Sequence, residues 1–193
     1  MNFEYPEHAT PIDPNEIEGL IPSHVSTRAE LDRVEQDNIL EAENWLSQRK
    51  PKNVISDEFI RKLHQRMFNR VWKWAGKYRD REKNLGFKPG KIPEAVRNLC
   101  DDATLWIKDG TYWPDELAVH FHHRLVSIHP FPNGNGRHAR LMADVILEQT
   151  LNRKPFTWGS ASLQQGECRK RYIEALQAAD NHDIGPLMKF VRS

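Results

Sequence analysis

Cysteine, net charge and long apolar runs are what this sequence lacks. Only Cys100 and Cys168 occur among 193 residues, too few for a disulfide framework, and each falls in an apolar helical pattern that suits a buried free thiol. No apolar run approaches the ~20 residues of a membrane-crossing helix, and Met1 to Glu7 lacks the basic and apolar regions of a secretory leader. A cytoplasmic protein without a membrane partner is therefore expected. Lys and Arg number 28 against 27 Asp and Glu, a formal net charge of +1. A general nucleic-acid binder would carry a strong basic excess, so no nucleic-acid partner is expected. Six Trp, eight Phe and four Tyr exclude disorder, which goes with few aromatics and a large net charge. A chain of this length can bury roughly 70% of the surface exposed when unfolded, enough for a real core.

What is present is helical periodicity. Asp13, Pro14, Glu16 and Gly19 mark a short helix with a cap, a first-turn proline and a stop. Thr27 and Glu30 form a capping box ahead of Leu31, Val34, Ile39, Ala42 and Leu46. Ser56 caps a helix whose Phe59, Leu63, Met67 and Val71 repeat every four residues, with its end predicted at Ala75-Gly76. Further helices are predicted from Pro93 to Gly110, from Pro114 to Ile128, from Arg137 onward, past Pro155 through Tyr172 and Ala179, and after Pro186. The exception is Lys77 to Ile92, with Gly86, Pro89 and Gly90, which reads as a loop or a short hairpin. The expected fold is all-α with one β-like excursion. No repeat or linker splits it, and Trp72, Trp74, Trp106 and Trp113 are expected to pack as core and loop supports.

The charge balance is uneven along the chain. From Leu117 to Ala143 there is no Asp or Glu, while Arg124, Arg137, Arg140 and five of the nine histidines lie there. Gly134-Asn135-Gly136 precedes a helix, where backbone N–H groups and the helix dipole favour an anion. Arg137 and Arg140, three apart, can converge and hold phosphate oxygens with their guanidinium forks. His129 ends the preceding helix and can serve as a general base, since its ordinary pKa lies near neutrality. A zinc reading of His120, His122 and His123 is weak, because no cysteine, carboxylate or His-Glu-x-x-His pattern accompanies them.

The run His129-Pro130-Phe131-Pro132-Asn133-Gly134-Asn135-Gly136-Arg137-His138-Ala139-Arg140 closely resembles the signature of the Fic (Fido) family, His-x-Phe-x-Asp/Glu-Gly-Asn-Gly-Arg with a second Arg three residues on. Trp74-Ala75-Gly76-Lys77-Tyr78-Arg79 resembles the segment that leads into that family's β-hairpin flap. The resemblance spans about Ser56 to Ala179. It implies a Fic fold, a helical bundle with one short hairpin flap, and AMP transfer from ATP to a Ser, Thr or Tyr hydroxyl of a target protein. His129 would be the base. Gly134, Asn135 and Gly136 would form the anion hole, Arg137 and Arg140 would hold phosphates, and Phe131 would anchor the loop. Leu85, Gly86, Phe87 and Lys88 would belong to the flap that aligns the target segment by strand pairing. Residues 1–55 would form an N-terminal helical extension and 56–193 the Fic core.

Two departures matter. Asn133 stands where AMP-transferring members carry an acid that holds Mg²⁺, and a neutral amide is a poorer ligand for this hard cation. Three outcomes are compatible with it: slower transfer with the metal held mainly by phosphates, a different phosphate-containing donor, or a nucleotide-binding regulatory or toxin-like module with little turnover. In Pro14-Asn15-Glu16-Ile17-Glu18-Gly19 the Glu-Gly of the family's inhibitory helix is in place, but proline occupies the Ser/Thr position. The resemblance implies that Glu18, on a candidate inhibitory helix at 13–19, pairs with Arg140. The alternatives are a short surface helix and inhibition by a separate antitoxin protein.

Overall fold

A computed structural model describes residues 13–160, 163 and 166–193. The reading of Met1 to Glu7 lies outside the described residues. Eight α-helices follow in order: α1 Pro14–Ile17, α2 Arg28–Arg49, α3 Asp57–Phe68, α4 Ile92–Asp109, α5 Pro114–Ile128, α6 Asn135–Gln149, α7 Gly166–Asp180 and α8 Gly185–Val191. Short 3₁₀ turns lie at Pro89–Lys91 and Trp158–Ser160.

The local signals set most boundaries. At α2 the Thr27 side chain accepts the Glu30 N–H and the Glu30 carboxylate returns a bond to the Thr27 N–H, a complete capping box. Ser56 caps α3 by accepting the Phe59 N–H. Gly110 ends α4 in the left-handed conformation that a side chain disfavours. α3, however, stops at Phe68 and does not reach Ala75-Gly76. Beyond it the backbone turns toward the N-terminal segment: Ile21 N–H donates to Val71 O and Lys73 N–H to Gly19 O, around a Leu20–Trp72 bridge. Those long-range bonds replace the helical ladder while Val71 and Trp72 stay buried.

The β-hairpin flap is not formed, since no β-strand occurs among the described residues. Residues 80–88 are irregular, and their polar backbone is met from outside the loop. Phe87 N–H donates to Ile128 O, while the Arg79 guanidinium donates to the carbonyls of Arg81 and Phe87. Pro89 then turns the chain into α4.

α5 and α6 pack as a central pair, with α3 and α4 on one side and α7 and α8 on the other. One core joins Leu31 and Ile39 of α2 to Leu63, Leu99, Phe121 and Ile146; a second joins Leu147 to Trp158, Tyr172 and Phe190. Trp72 is buried, whereas Trp113 is 80% exposed and supports nothing in the core. Cys100 is buried, which raises its pKa to about 12 and leaves the thiol inert.

Four histidines are buried with their pKa values lowered, chiefly by desolvation: His122 and His138 to about 3, His129 to about 4, and His64 well below the usual value. The folded state therefore excludes protons that the unfolded chain binds below pH 6.5, so stability is fully present above that pH and falls as pH drops toward the folded values. Each histidine contributes a slope of up to ~1.4 kcal/mol per pH unit in that window. Tm measured between pH 7.5 and 5 should be flat at first and then fall steeply, and His138→Gln should reduce the acid slope.

Candidate functional site

The site grows from the junction of α5 and α6. His129 closes α5 with left-handed torsion angles, and Gly134 caps α6 at φ +78°. A Cβ at Gly134 would lie 2.6 Å from the Phe68 ring, so only glycine fits. The helix starts at Asn135, two residues before the predicted position, which places Asn135, Gly136 and Arg137 in its first turn. Their N–H groups have no acceptor within the helix, as in the first turn of any α-helix.

Three side chains fix the loop between the helices. Phe131 is fully buried and stacks on His64 at 3.7 Å between ring centroids. The Asn135 amide accepts the Phe131 N–H and donates to the Phe131 carbonyl, so its side chain braces the loop while its backbone faces the cleft. His64 accepts the Gly76 N–H at Nδ1, which leaves the proton on Nε2 to donate to the Asn133 carbonyl at 3.0 Å. This bridge from α3 was missed by sequence reasoning, because a single histidine in an amphipathic helix carries no motif.

The two signature arginines do not converge as expected. The Arg137 guanidinium leans toward α2 and α3, 2.6 Å from the Glu35 carboxylate, 3.4 Å from Asn133 Oδ1 and over the Phe68 ring. Arg140 leans the other way, over the Tyr172 ring of α7. Both line a cleft of about 720 Å³, together with His129, Asn133, the Gly134–Gly136 turn and Gly86. Glu35 is the second residue that sequence reasoning missed. It is 1% exposed and also accepts the Trp72 indole N–H at 2.6 Å, so it joins the amino-terminal helix to the signature.

His129 lines the cleft yet is only 7% exposed. Neither ring nitrogen makes a hydrogen bond of good geometry among the described residues. Burial, then the charges of Arg79 and Lys83, push its pKa down to about 4, so the imidazole is neutral at physiological pH. The Arg79 guanidinium holds its carbonyl at 2.7 Å. Gly86 covers the ring's root: a Cβ there would lie 2.6 Å from the His129 Cβ. Neighbouring Leu85 and Phe87 are about half exposed, and Lys88 is exposed.

Asn133 Oδ1 accepts the Gly134 N–H at 2.7 Å and faces Arg137. Its neutral oxygen is thus directed at two donors, a poor fit to Mg²⁺ held by the protein alone. Glu18 is exposed on the Trp74 side of the molecule and is not part of the cleft wall, so the structure does not bring it to Arg140. The other histidines disperse: His122 meets the Tyr172 hydroxyl, His123 meets Asp180, and His120 stacks near Tyr112.

The cleft thus joins a helix start, two arginines and a neutral histidine within a helical domain. Residues 54–147, just under half of the chain, match the family model described as Fic/DOC family. Protein adenylyltransferase Fic of Nematostella vectensis is 31% identical over 159 residues, covering 80% of this chain and 35% of that protein. Protein adenylyltransferase fic-1 of Caenorhabditis elegans is 29% identical over 177 residues, covering 90% and 34%. The chain thus spans about a third of the length of these relatives. Among solved structures, the N-terminal Fic domain of a cell filamentation protein from Bartonella quintana superposes with a TM-score of 0.73 at 15% identity, over 94% of this chain and 91% of that one. BepC of Bartonella tribocorum, solved with bound AMPPNP, gives 0.69 at 16% identity, over 93% and 97%. Both establish the Fic fold.

Proposed function

We propose that this protein transfers AMP from ATP to a hydroxyl side chain of a target protein. The observation that carries this reading is a neutral imidazole, His129, in one cleft with the first-turn amides of Asn135, Gly136 and Arg137. The names of the relatives and the nucleotide-bound neighbour support the same donor.

The α-phosphate would sit against the first-turn amides of α6, where hydrogen-bond donors and the helix dipole offset its charge. Arg140 and Arg137 would hold the remaining phosphates. His129 takes the proton from the target hydroxyl, the oxygen bonds to the α-phosphorus, and the bond to pyrophosphate breaks as pyrophosphate leaves. The imidazolium then returns its proton to solvent. The negative charge of the incoming triphosphate raises the histidine's pKa from its depressed value and strengthens it as a base. Mg²⁺, when it arrives with the nucleotide, would neutralise phosphate charge.

Because His129 of the nucleotide-free protein is neutral above about pH 4, kcat/KM for transfer, which reports the free protein, should not fall between pH 8 and 6 through loss of the base. An unperturbed histidine would lose half its activity near pH 6.5. The direct test is incubation with α-labelled ATP and Mg²⁺, alone and with lysate, beside Asn133→Asp. A carboxylate at 133 should raise metal-dependent labelling by roughly tenfold, the ~1.5 kcal/mol of one charge-assisted contact.

A second reading keeps the nucleotide and omits transfer, and the cover that Gly86 places over His129 favours it. If neither protein labels anything while ATP still raises Tm, this reading replaces the first.

A further inference from the structure

We propose that residues 13–20 latch the 80–88 loop over His129 through a buried Glu16–Lys83 ion pair, so that the N-terminal segment sets access to the base. The proposal rests on the functional reading only in taking His129 as the reactive group.

The latch is built in three stages. First, the segment is fastened to the body. Glu16 O accepts the Trp74 indole N–H at 3.1 Å, Gly19 O accepts the Lys73 N–H, and Ile21 N–H donates to Val71 O. Gly19 lies so close to Trp74 that a Cβ there would come within 2.6 Å of the ring.

Second, the fastened segment presents a carboxylate to the loop. Lys83 Nζ lies 2.8 Å from both Glu16 oxygens, and each side chain is only 10% exposed. Glu16 is further fixed by the Asp13 N–H, which donates to it at 3.0 Å. A shielded pair of this kind resists separation, because pulling it apart strands a charge away from water. Asp13 and Arg81, 3.9 Å apart, add a weaker exposed pair between the same two segments.

Third, the loop bears on the histidine. Three residues after Lys83, Gly86 meets the His129 Cβ and the Ile128 carbonyl at distances that leave no room for a methyl group. Phe87 N–H donates to Ile128 O at 3.1 Å. Arg79, 3% exposed, ties the parts together by donating to the carbonyls of His129, Arg81 and Phe87. Release of Lys83 leaves only the weaker, exposed Asp13–Arg81 pair, among the described ion pairs, to hold this loop to the N-terminal segment. The residue that couples α1 to the site is thus Glu16, acting on the loop. Glu18, two positions on, is exposed.

Site-resolved carbethoxylation by diethyl pyrocarbonate at neutral pH tests this without any nucleotide. In the unaltered protein, His129 should react slowly beside exposed His24 and His182. In Glu16→Gln and in Lys83→Met its rate should rise roughly tenfold, since each leaves one charge uncompensated and favours local opening. The charge-swapped double variant, Glu16→Lys with Lys83→Glu, should restore protection. Buried His64, His122 and His138 report folding: they should stay protected, whereas global unfolding would expose them together with His129. Unchanged His129 reactivity in both single variants, with the protein folded, would overturn the latch. If His129 opens as expected but α-labelled ATP still transfers nothing, the latch stands and the transferase reading fails.

Discussion

Substituting His129 with alanine should lower transfer of α-label by at least ~100-fold while leaving the fold in place, because a positioned general base is worth about 10²–10⁴ in rate. The separation of activity from stability follows from the geometry. The ring nitrogens make no hydrogen bond of good geometry, the nearest acceptor being the Val126 backbone, so little internal hydrogen bonding is lost with them. The backbone is held independently, since Arg79 donates to the His129 carbonyl and the Leu125 carbonyl accepts its N–H. What is lost is packing beneath Gly86, since histidine already bears the left-handed φ of +52°. That loss amounts to about 1–2 kcal/mol, or roughly 2–8 °C in Tm for a protein of this size. ATP should still raise the Tm of the variant, because the first turn of α6 is untouched.

Glu35→Ala should be among the most destabilising single changes at the site. It removes the carboxylate that accepts both the Trp72 indole N–H and Arg137, each at 2.6 Å. Two donors lose their acceptor, one of them charged, and breaking a buried pair from one side costs about 3 kcal/mol. A Tm loss of roughly 6–12 °C is expected. The same change frees Arg137 from its orientation over Phe68, so ATP affinity should fall as well. Glu35→Gln, which keeps an acceptor for Trp72 and removes only the charge, should recover most of the stability and little of the affinity. Thermal melts with and without ATP separate the two effects.

The contrast between Glu35 and Glu18 shows where the sequence was legible. Capping at Thr27, Ser56 and Gly110 depends on residues within one turn, and each cap formed where it was read. The turn at Gly134 was legible for the same reason, as a glycine abutting a helix. Glu35 reaches Arg137 across 102 positions, and His64 reaches Asn133 across 69. No local spacing encodes such contacts. The end of α3 was misplaced because the hydrophobic repeat continues through Val71 while the backbone there bonds to residues 19–21. Of the two readings of Lys77 to Ile92 the loop is the one found, and the hairpin flap implied by the resemblance is absent, because the Arg79 guanidinium and the end of α5 take up backbone groups that strand pairing would use. Arg137 and Arg140 share a helix, as their spacing required, yet Glu35 and Tyr172 draw them to opposite walls.

The proposed chemistry moves a nucleotidyl group and not a phosphoryl group. To test it, the protein and a lysate are incubated with ATP labelled at the α-phosphorus or, in parallel, at the γ-phosphorus, and covalent label on protein is read. The α-label should be retained on protein and the γ-label released with pyrophosphate, both dependent on His129. Retention of γ-label without α-label would show phosphoryl transfer and contradict this chemistry.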